Sequence, residues 1–394
     1  MRVVHTSDWH AGRLWKRLTR LGELERALGS LVGYVERERV DLVLMTGDVF
    51  DSGSPSAEAE RLVFDVLKRL GRVAPVIVIA GNHDDPRRLE AWGQLAELAN
   101  IKTLGRPRPA RAGGVMTVKS LDGREAATVA AVPFAPLRDF VTAADVAGDE
   151  GQMRSLWTDG LTRVVRLLSE SFAADTVNLL MAHTHVDGAV LAHSERVAQV
   201  GREYALSPEV LPRTAQYVAL GHIHKPQAVR FGVEYAGSPI QLDFGEEGEE
   251  KSFVVIEARP RLPPVITRVP YEGGTPLVTW QGRLEALEAA AAGLRDKHAR
   301  IRLELDVPDP EVAKKVRALV PEHVGVQVIL PVVDPTAEAP SRAGQSATEL
   351  FVAYHERRYK RAPEPPLVAA FTALWDEAES PVEATRAATP GEAG

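Results

Sequence analysis

Three clusters carry the residue types of metal chemistry: "GDVF" from Gly47 to Phe50, "GNHD" from Gly81 to Asp84 and "GHIH" from Gly221 to His224. Asp8 and His10 in "SDWH" and His183 in "MAHTH" extend the inventory. Together they offer two carboxylates (Asp8, Asp48), five imidazoles (His10, His83, His183, His222, His224) and one neutral amide oxygen (Asn82). That donor set suits borderline or hard divalent ions such as manganese, iron or zinc. A carboxylate can also bridge two ions about 3.5–4 Å apart, the spacing that serves hydrolysis of phosphate esters. The chain has no cysteine, which excludes thiolate sites and disulfides.

Each cluster ends an apolar run: "DLVLMTGD", "APVIVIAGNHD" and "QYVALGHIH". Such runs suit strands covered on both faces, and ligands of such sheets gather beyond the carboxyl ends of the strands. The two-residue spacing of Asp8 and His10, and of His222 and His224, puts each pair on one face of an extended chain. The paired side chains are therefore expected to converge without a special turn. A single histidine of this kind is ordinarily a hydrogen-bonded core or surface residue. Five motifs in order, each after an apolar strand, outweigh that explanation.

Residues 1–265 alternate strand-like and helix-like segments, which means an α/β domain built on layered sheets. Helices are expected over Thr19–Arg39, Ala57–Leu70, Arg88–Ala99 and Ser155–Ser171. The Pro- and Gly-rich stretch from Arg259 to Pro276 reads as a boundary. Residues 270–334 then form a second α/β unit, small for a self-sufficient core. A polar linker follows at 335–346, two amphipathic helices at 347–380 and a disordered tail at 381–394. Ser346 with Glu349 forms a capping box that starts the first of these helices. Leu367, Val368, Phe371, Leu374 and Trp375 form an apolar stripe on the second, and the pair reads as a partner-binding hairpin.

The net charge of −7, from 47 basic and 54 acidic residues, argues mildly against nucleic acid, but its distribution matters more. Basic residues collect at Arg13, Lys16, Arg17 and Arg20 after "SDWH", at Arg87 and Arg88 after "GNHD", and at Arg106, Arg108 and Arg111. The first two groups sit where a phosphate backbone would approach the metal motifs. Acidic residues collect in "DFGEEGEE" from Asp243 to Glu250, which reads as solvated surface. With no secretory signal and no long apolar stretch, the expected location is cytoplasmic.

The motifs "TSDWHAGR", "GD", "AGNHDDP", "MAH" and "GHIHKPQ", in this order, resemble the calcineurin-like metallophosphoesterase family over about the first 260 residues. "GSPIQLDFGEEGEEKSF" is similar to the branch made of nuclease subunits of bacterial ATPase–nuclease complexes. The resemblance implies a four-layer α/β sandwich with a capping domain for DNA at 270–334 and helices at 347–380 that dock an ATPase with a long coiled coil. It also implies two metal ions, manganese with magnesium as the alternative, and cleavage of duplex DNA ends, hairpins and single strands by a homodimer within a heterotetramer. Carried over residue by residue, Asp8, His10, Asp48 and His224 would hold the first ion. Asp48, Asn82, His183 and His222 would hold the second, and His83 would face the scissile phosphate.

One position departs from the pattern. Archaeal and eukaryotic relatives carry a histidine three residues after the bridging aspartate, where this chain has Asp51. Related phosphatases have an aspartate there, paired with the catalytic histidine and followed by an arginine; this chain has Ser52 instead of the arginine. Asp51 is accordingly expected to orient His83 through its carboxylate, and a phosphatase is disfavoured. Two rivals remain: a stand-alone phosphatase or cyclic-nucleotide phosphodiesterase on the same core, and a non-catalytic scaffold, which would be expected to have lost ligands. His5 reads as structural; His185, two residues after His183, could reach the site but fills no slot of the motif, and His193, His298, His323 and His355 carry no spacing signal.

Overall fold

The apolar runs become strands because each alternates its side chains between two buried faces. A computed structural model describes residues 1–16, 18–140, 150–192, 205–331 and 346–379. β1 (Arg2–Thr6) leads into a small hairpin, β2 (Leu14–Trp15) and β3 (Leu18–Thr19). β1 also pairs in parallel with β4 (Leu42–Met45), followed by β5 (Val76–Ile79) and β6 (Ile101–Leu104). On its other side β13 (Ser252–Glu257) and β14 (Val265–Pro270) run antiparallel, which gives a sheet in the order β14-β13-β1-β4-β5-β6.

A second sheet is built from β7 (Val115–Lys119), β8 (Ala126–Val132), β9 (Val177–His183), β10 (Tyr217–Gly221), β11 (Gln227–Arg230) and β12 (Val233–Tyr235). Its order is β11-β12-β10-β9-β8-β7, parallel in the centre and antiparallel at both edges.

Alternation within the strands then generates layers. Leu42 and Leu44 of β4 meet Leu179 and Met181 of β9 in one apolar layer between the sheets. Val43 and Met45 face the other way, against Leu28, Leu31, Val63, Leu70 and Leu89 of the helices Leu21–Arg37, Ala57–Val73 and Pro86–Ala96. On the far side Leu180 and Ala182 pack with Trp157, Leu161 and Val165 of the helix Glu150–Ser169. Helix, sheet, sheet, helix is the four-layer sandwich that the family resemblance implied, and it agrees with the layered sheets expected from the alternation. The expected helices all form, with ends shifted by a few residues.

The stretch from Arg259 to Pro276, read as a boundary, contains β14, the edge strand of the first sheet. Its mixed residues (Val265, Ile266, Thr267, Arg268, Val269, Pro270) are mostly exposed, so they lack the apolar run of the central strands. An edge strand ending in proline is permitted because the ladder on that side goes unused.

Two compact units emerge: Met1–Thr279 with Asp296–His298, and Trp280–Arg295 with the residues from Ala299 on. The second contains most of a three-stranded sheet ordered β15 (Leu277–Gly282), β16 (His298–Glu304) and β17 (Gly325–Ile329), with β16 and β17 parallel. It also contains the helices Ala347–Tyr359 and Pro365–Glu379. The capping box of Ser346 and Glu349 is formed as expected. Phe351 stacks on Phe371 at 4.1 Å, which joins the two helices, while Tyr354, Leu374 and Trp375 stay exposed. Most of the expected linker, the expected tail, Arg17 and His193 lie outside the described residues. Among the described residues no helix is long and apolar enough to cross a membrane.

Candidate metal centre

β1, β4 and β5 of one sheet and β9 and β10 of the other run parallel within their sheets, so their carboxyl ends gather the loops that follow them. Asp8 and His10 follow β1, Asp48 follows β4, and Asn82 and His83 follow β5. His183 is the last residue of β9, and His222 and His224 follow β10. Donor atoms of Asp8, His10 and His224 lie within 4.8 Å of one another, as do those of Asp8, Asp48 and His183, and those of His10, Asp48 and His83. Asp8, Asp48 and the five histidines are all buried. The structure therefore brings together every residue that the sequence put forward for this chemistry.

The convergence does not arise from extended chain, as the two-residue spacing suggested. Asp8 (φ 50°), His10 (φ 45°), Asp48 (φ 50°) and His222 (φ 103°) all adopt positive φ. Non-glycine residues avoid that region, and such strain is tolerated where the surroundings over-determine the backbone, commonly at functional sites. Here the turns are pinned by Asp8 N–H to the Gly47 carbonyl and His10 N–H to the Asp48 carbonyl, both at 3.0 Å. The glycines are needed for close approach: a Cβ on Gly81 would collide with the backbone and carboxylate of Asp48, and one on Gly47 with the His183 ring.

The ring orientations point toward cations. His183 Nδ1 donates to the Thr46 carbonyl at 2.7 Å, which leaves Nε2 as the lone-pair nitrogen. That Nε2 faces Asn82 Oδ1 at 2.9 Å and Asp48 Oδ2 at 3.6 Å. His222 Nδ1 approaches the same Asn82 oxygen at 3.0 Å. On the other side His10 Nε2 and His224 Nε2 stand 3.0 Å apart. Acceptor atoms crowded on acceptor atoms in a buried site fit a donor set that shares cations, and Asp48 lies between the two groups.

The electrostatics agree. Burial, reinforced by the nearby charge of Asp48, pushes the Asp8 carboxyl well above the usual range. Burial alone would raise Asp48 too, but His183, His83 and His10 around it hold it below its ordinary value. Burial also pulls His10 down to about 3, so its ring is held neutral, the form that binds metal. Two acidic groups crowded together away from water are stabilised as carboxylates by divalent charge.

His83 differs from the rest. Its Nδ1 donates to the main-chain carbonyl of Asp51 at 2.8 Å, and its Nε2 lies 4.0 Å from Asp48 Oδ2. The Asp51 carboxylate, expected to pair with His83, is 3.9 Å from that ring and only 3.3 Å from His10 Nδ1. The backbone of Asp51 performs the orienting task because the turn after β4 aims its carbonyl at His83.

Several residues away from the donor cluster also depart from expectation. Arg20, grouped with a basic patch, is buried, ion-paired with Glu23 at 2.7 Å and bonded to the carbonyls of Gln241 and Thr275. His298, which carried no signal, meets Glu23 at 2.6 Å. His5 is structural as expected: it bridges Tyr217 and Thr46 between the sheets, at 2.9 Å to each. Asp84 was quoted in a motif without a role. Its carboxylate accepts the N–H groups of Gly81, Val49 and Phe50, which ties the β4 and β5 loops together. Glu246, read as solvated surface, is fully buried against Lys251. No spacing signal marks Glu246 in a run of charged and glycine residues.

The chain is similar to known proteins over most of its length. The model of the calcineurin-like phosphoesterase family matches residues 1–226. The SbcD component of the SbcCD nuclease of Bacillus subtilis is 32% identical over 342 residues, 85% of this chain and 86% of that protein. Its namesake in Rhodobacter capsulatus is 33% identical over 304 residues, 70% of this chain and 73% of its own length. In Escherichia coli K12 the figure is 27% over 350 residues, 84% of each. The chain belongs to the calcineurin-like phosphoesterase family, in its branch of SbcD-type nucleases.

Proposed function

We propose that the chain is a manganese-dependent DNA nuclease that acts on duplex ends as an exonuclease and on hairpins and single strands as an endonuclease. It would do so in DNA end processing during repair, recombination and replication. The observation that carries this is the convergence of Asp8, His10, Asn82, His183, His222 and His224 around Asp48. We assign Asp8, His10, Asp48 and His224 to one ion and Asp48, Asn82, His183 and His222 to the other. Manganese is preferred over magnesium because imidazole-rich sites suit the softer ion. The chemistry such a pair supplies is neutralisation of charge on phosphoryl oxygens and acidification of water.

The chain's own residues do the rest. Asp48, 3.6 Å from both His10 Nε2 and His183 Nε2, would hold the two halves of the site in register. His83 donates from Nδ1 to a carbonyl, which leaves Nε2 as the nitrogen to deliver a proton to the departing oxygen. Arg13 and Lys16 lie on the loop and hairpin next to Asp8 and His10, where they would meet the phosphate backbone. Residues 270–334 would cap the DNA, and the hairpin at 347–380 would dock an SbcC-type ATPase with a long coiled coil. The assembly would be a homodimer within a heterotetramer, in the cytoplasm.

The test is incubation of the purified chain with manganese, then magnesium, on linear duplex, hairpin and single-stranded DNA, beside a nitrophenyl phosphodiester. Cleavage of DNA with manganese supports the reading. Turnover of the small ester alone returns the chain to the phosphodiesterase rival.

A further inference from the structure

We infer that Glu246, held by Lys251, is a positioning residue for His224: it fixes the ring so that Nε2 is presented to the metal centre. The inference rests on the assignment of His224 as a ligand. Two nitrogens of that ring point in opposite directions. Nε2 stands 3.0 Å from His10 Nε2, inside the donor cluster, whereas Nδ1 stands 3.5 Å from Glu246 Oε1. A carboxylate behind an imidazole selects the tautomer protonated on the near nitrogen and makes the far one more basic.

The carboxylate is itself immobilised. Glu246 is fully buried, and its Oε2 receives Lys251 Nζ at 2.5 Å and the Leu242 N–H at 3.0 Å, while the nearby Ser238 hydroxyl donates to the Ile240 carbonyl at 2.9 Å. Both donors meet Oε2, and Oε1 is the oxygen that faces the histidine. Lys251 Nζ also donates to the main-chain carbonyl of His224 at 2.9 Å and to Glu249 Oε2 at 2.9 Å. One ammonium group therefore grips both the backbone of His224 and the carboxylate behind its ring. The Ser238 N–H adds a bond to the same carbonyl at 3.0 Å. His183 is oriented by a neutral carbonyl, that of Thr46, so the two halves of the centre differ in the charge behind their histidines.

A buried ion pair that merely anchored the loop would predict lost stability and unchanged metal affinity. The experiment is calorimetric titration of chelator-stripped protein with manganese, beside thermal unfolding of the metal-free chain. Glu246→Gln preserves shape and should weaken one of two binding events by about 10–100-fold while leaving the other unchanged. Because this change strands the Lys251 charge, Glu246→Gln with Lys251→Met is measured too. Weakened binding that persists in the double variant supports the positioning role. Native binding in the double variant, or in Glu246→Gln alone, overturns it. His224→Ala is the control: if it still binds two ions normally, the ligand assignment itself has failed.

Discussion

His83 is oriented by the main chain of Asp51, its Nδ1 donating to that carbonyl at 2.8 Å, while the Asp51 carboxylate lies nearer His10. The two parts of one residue thus serve two different histidines. Asp51→Asn keeps the carbonyl and should leave the His83 ring in place. It removes the negative charge behind His10, and manganese affinity should fall by about 10-fold or more. Manganese titration and a crystal structure of the variant check this; unchanged affinity would refute the link to His10.

Loss of Asp48 should be the most damaging single change. Its carboxylate stands 3.6 Å from both His10 Nε2 and His183 Nε2. Asp48→Asn is expected to abolish cleavage and to weaken both binding events. Metal content by elemental analysis decides the matter, since two tightly held ions in the variant would disprove sharing.

His83→Ala should separate chemistry from metal binding. Metal content is expected to stay at the parent level while cleavage falls by roughly 10²–10⁴-fold. If the ions are lost as well, His83 is a ligand and the proton-transfer role is wrong.

The basic residues beside the centre can be read through salt. Lys16 is exposed over the Phe244 ring at 5.0 Å, and Arg13 lies 3.9 Å from Asp51 Oδ1. Replacing both by alanine should reduce the slope of log affinity against log salt on duplex DNA by roughly 1.8, at about 0.9 for each phosphate contact. An identical slope would mark both as ordinary surface.

Away from the centre, Glu23 should govern acid stability. Burial alone would raise its carboxyl, but His298 and Arg20 bring it down to about 2. A lowered folded-state value means stabilisation that is complete above the unfolded value, about 4.3, and is lost as pH falls toward the folded one. Glu23→Gln should cost about 2 kcal/mol at pH 7, with the difference in thermal midpoint from the parent shrinking as pH falls from about 4.5 toward about 2.5. A gap that stays constant over that range would contradict the ion-pair account.

The polar residues that cluster at the centre and the strands that carry them were legible in the sequence because both are local properties. An apolar run followed by Gly and a polar ligand type is contiguous, and layered sheets follow from the alternation of strand-like and helix-like segments, while the number of layers came from the family resemblance. Less was legible at edges and turns. β14 escaped because its side chains are mostly exposed and lack an apolar signature. The left-handed backbone at Asp8, His10, Asp48 and His222 has only a weak residue-type marker: aspartate and histidine are enriched there but occupy ordinary regions far more often. Contacts between distant segments were decided by tertiary structure alone. Arg20 left the basic surface for Glu23, the Asp51 carbonyl reached His83 in place of its carboxylate, and Glu246 left an acidic run to stand behind His224. Burial and direction depend on which loops the two sheets bring to one end, and no spacing along the chain encodes that.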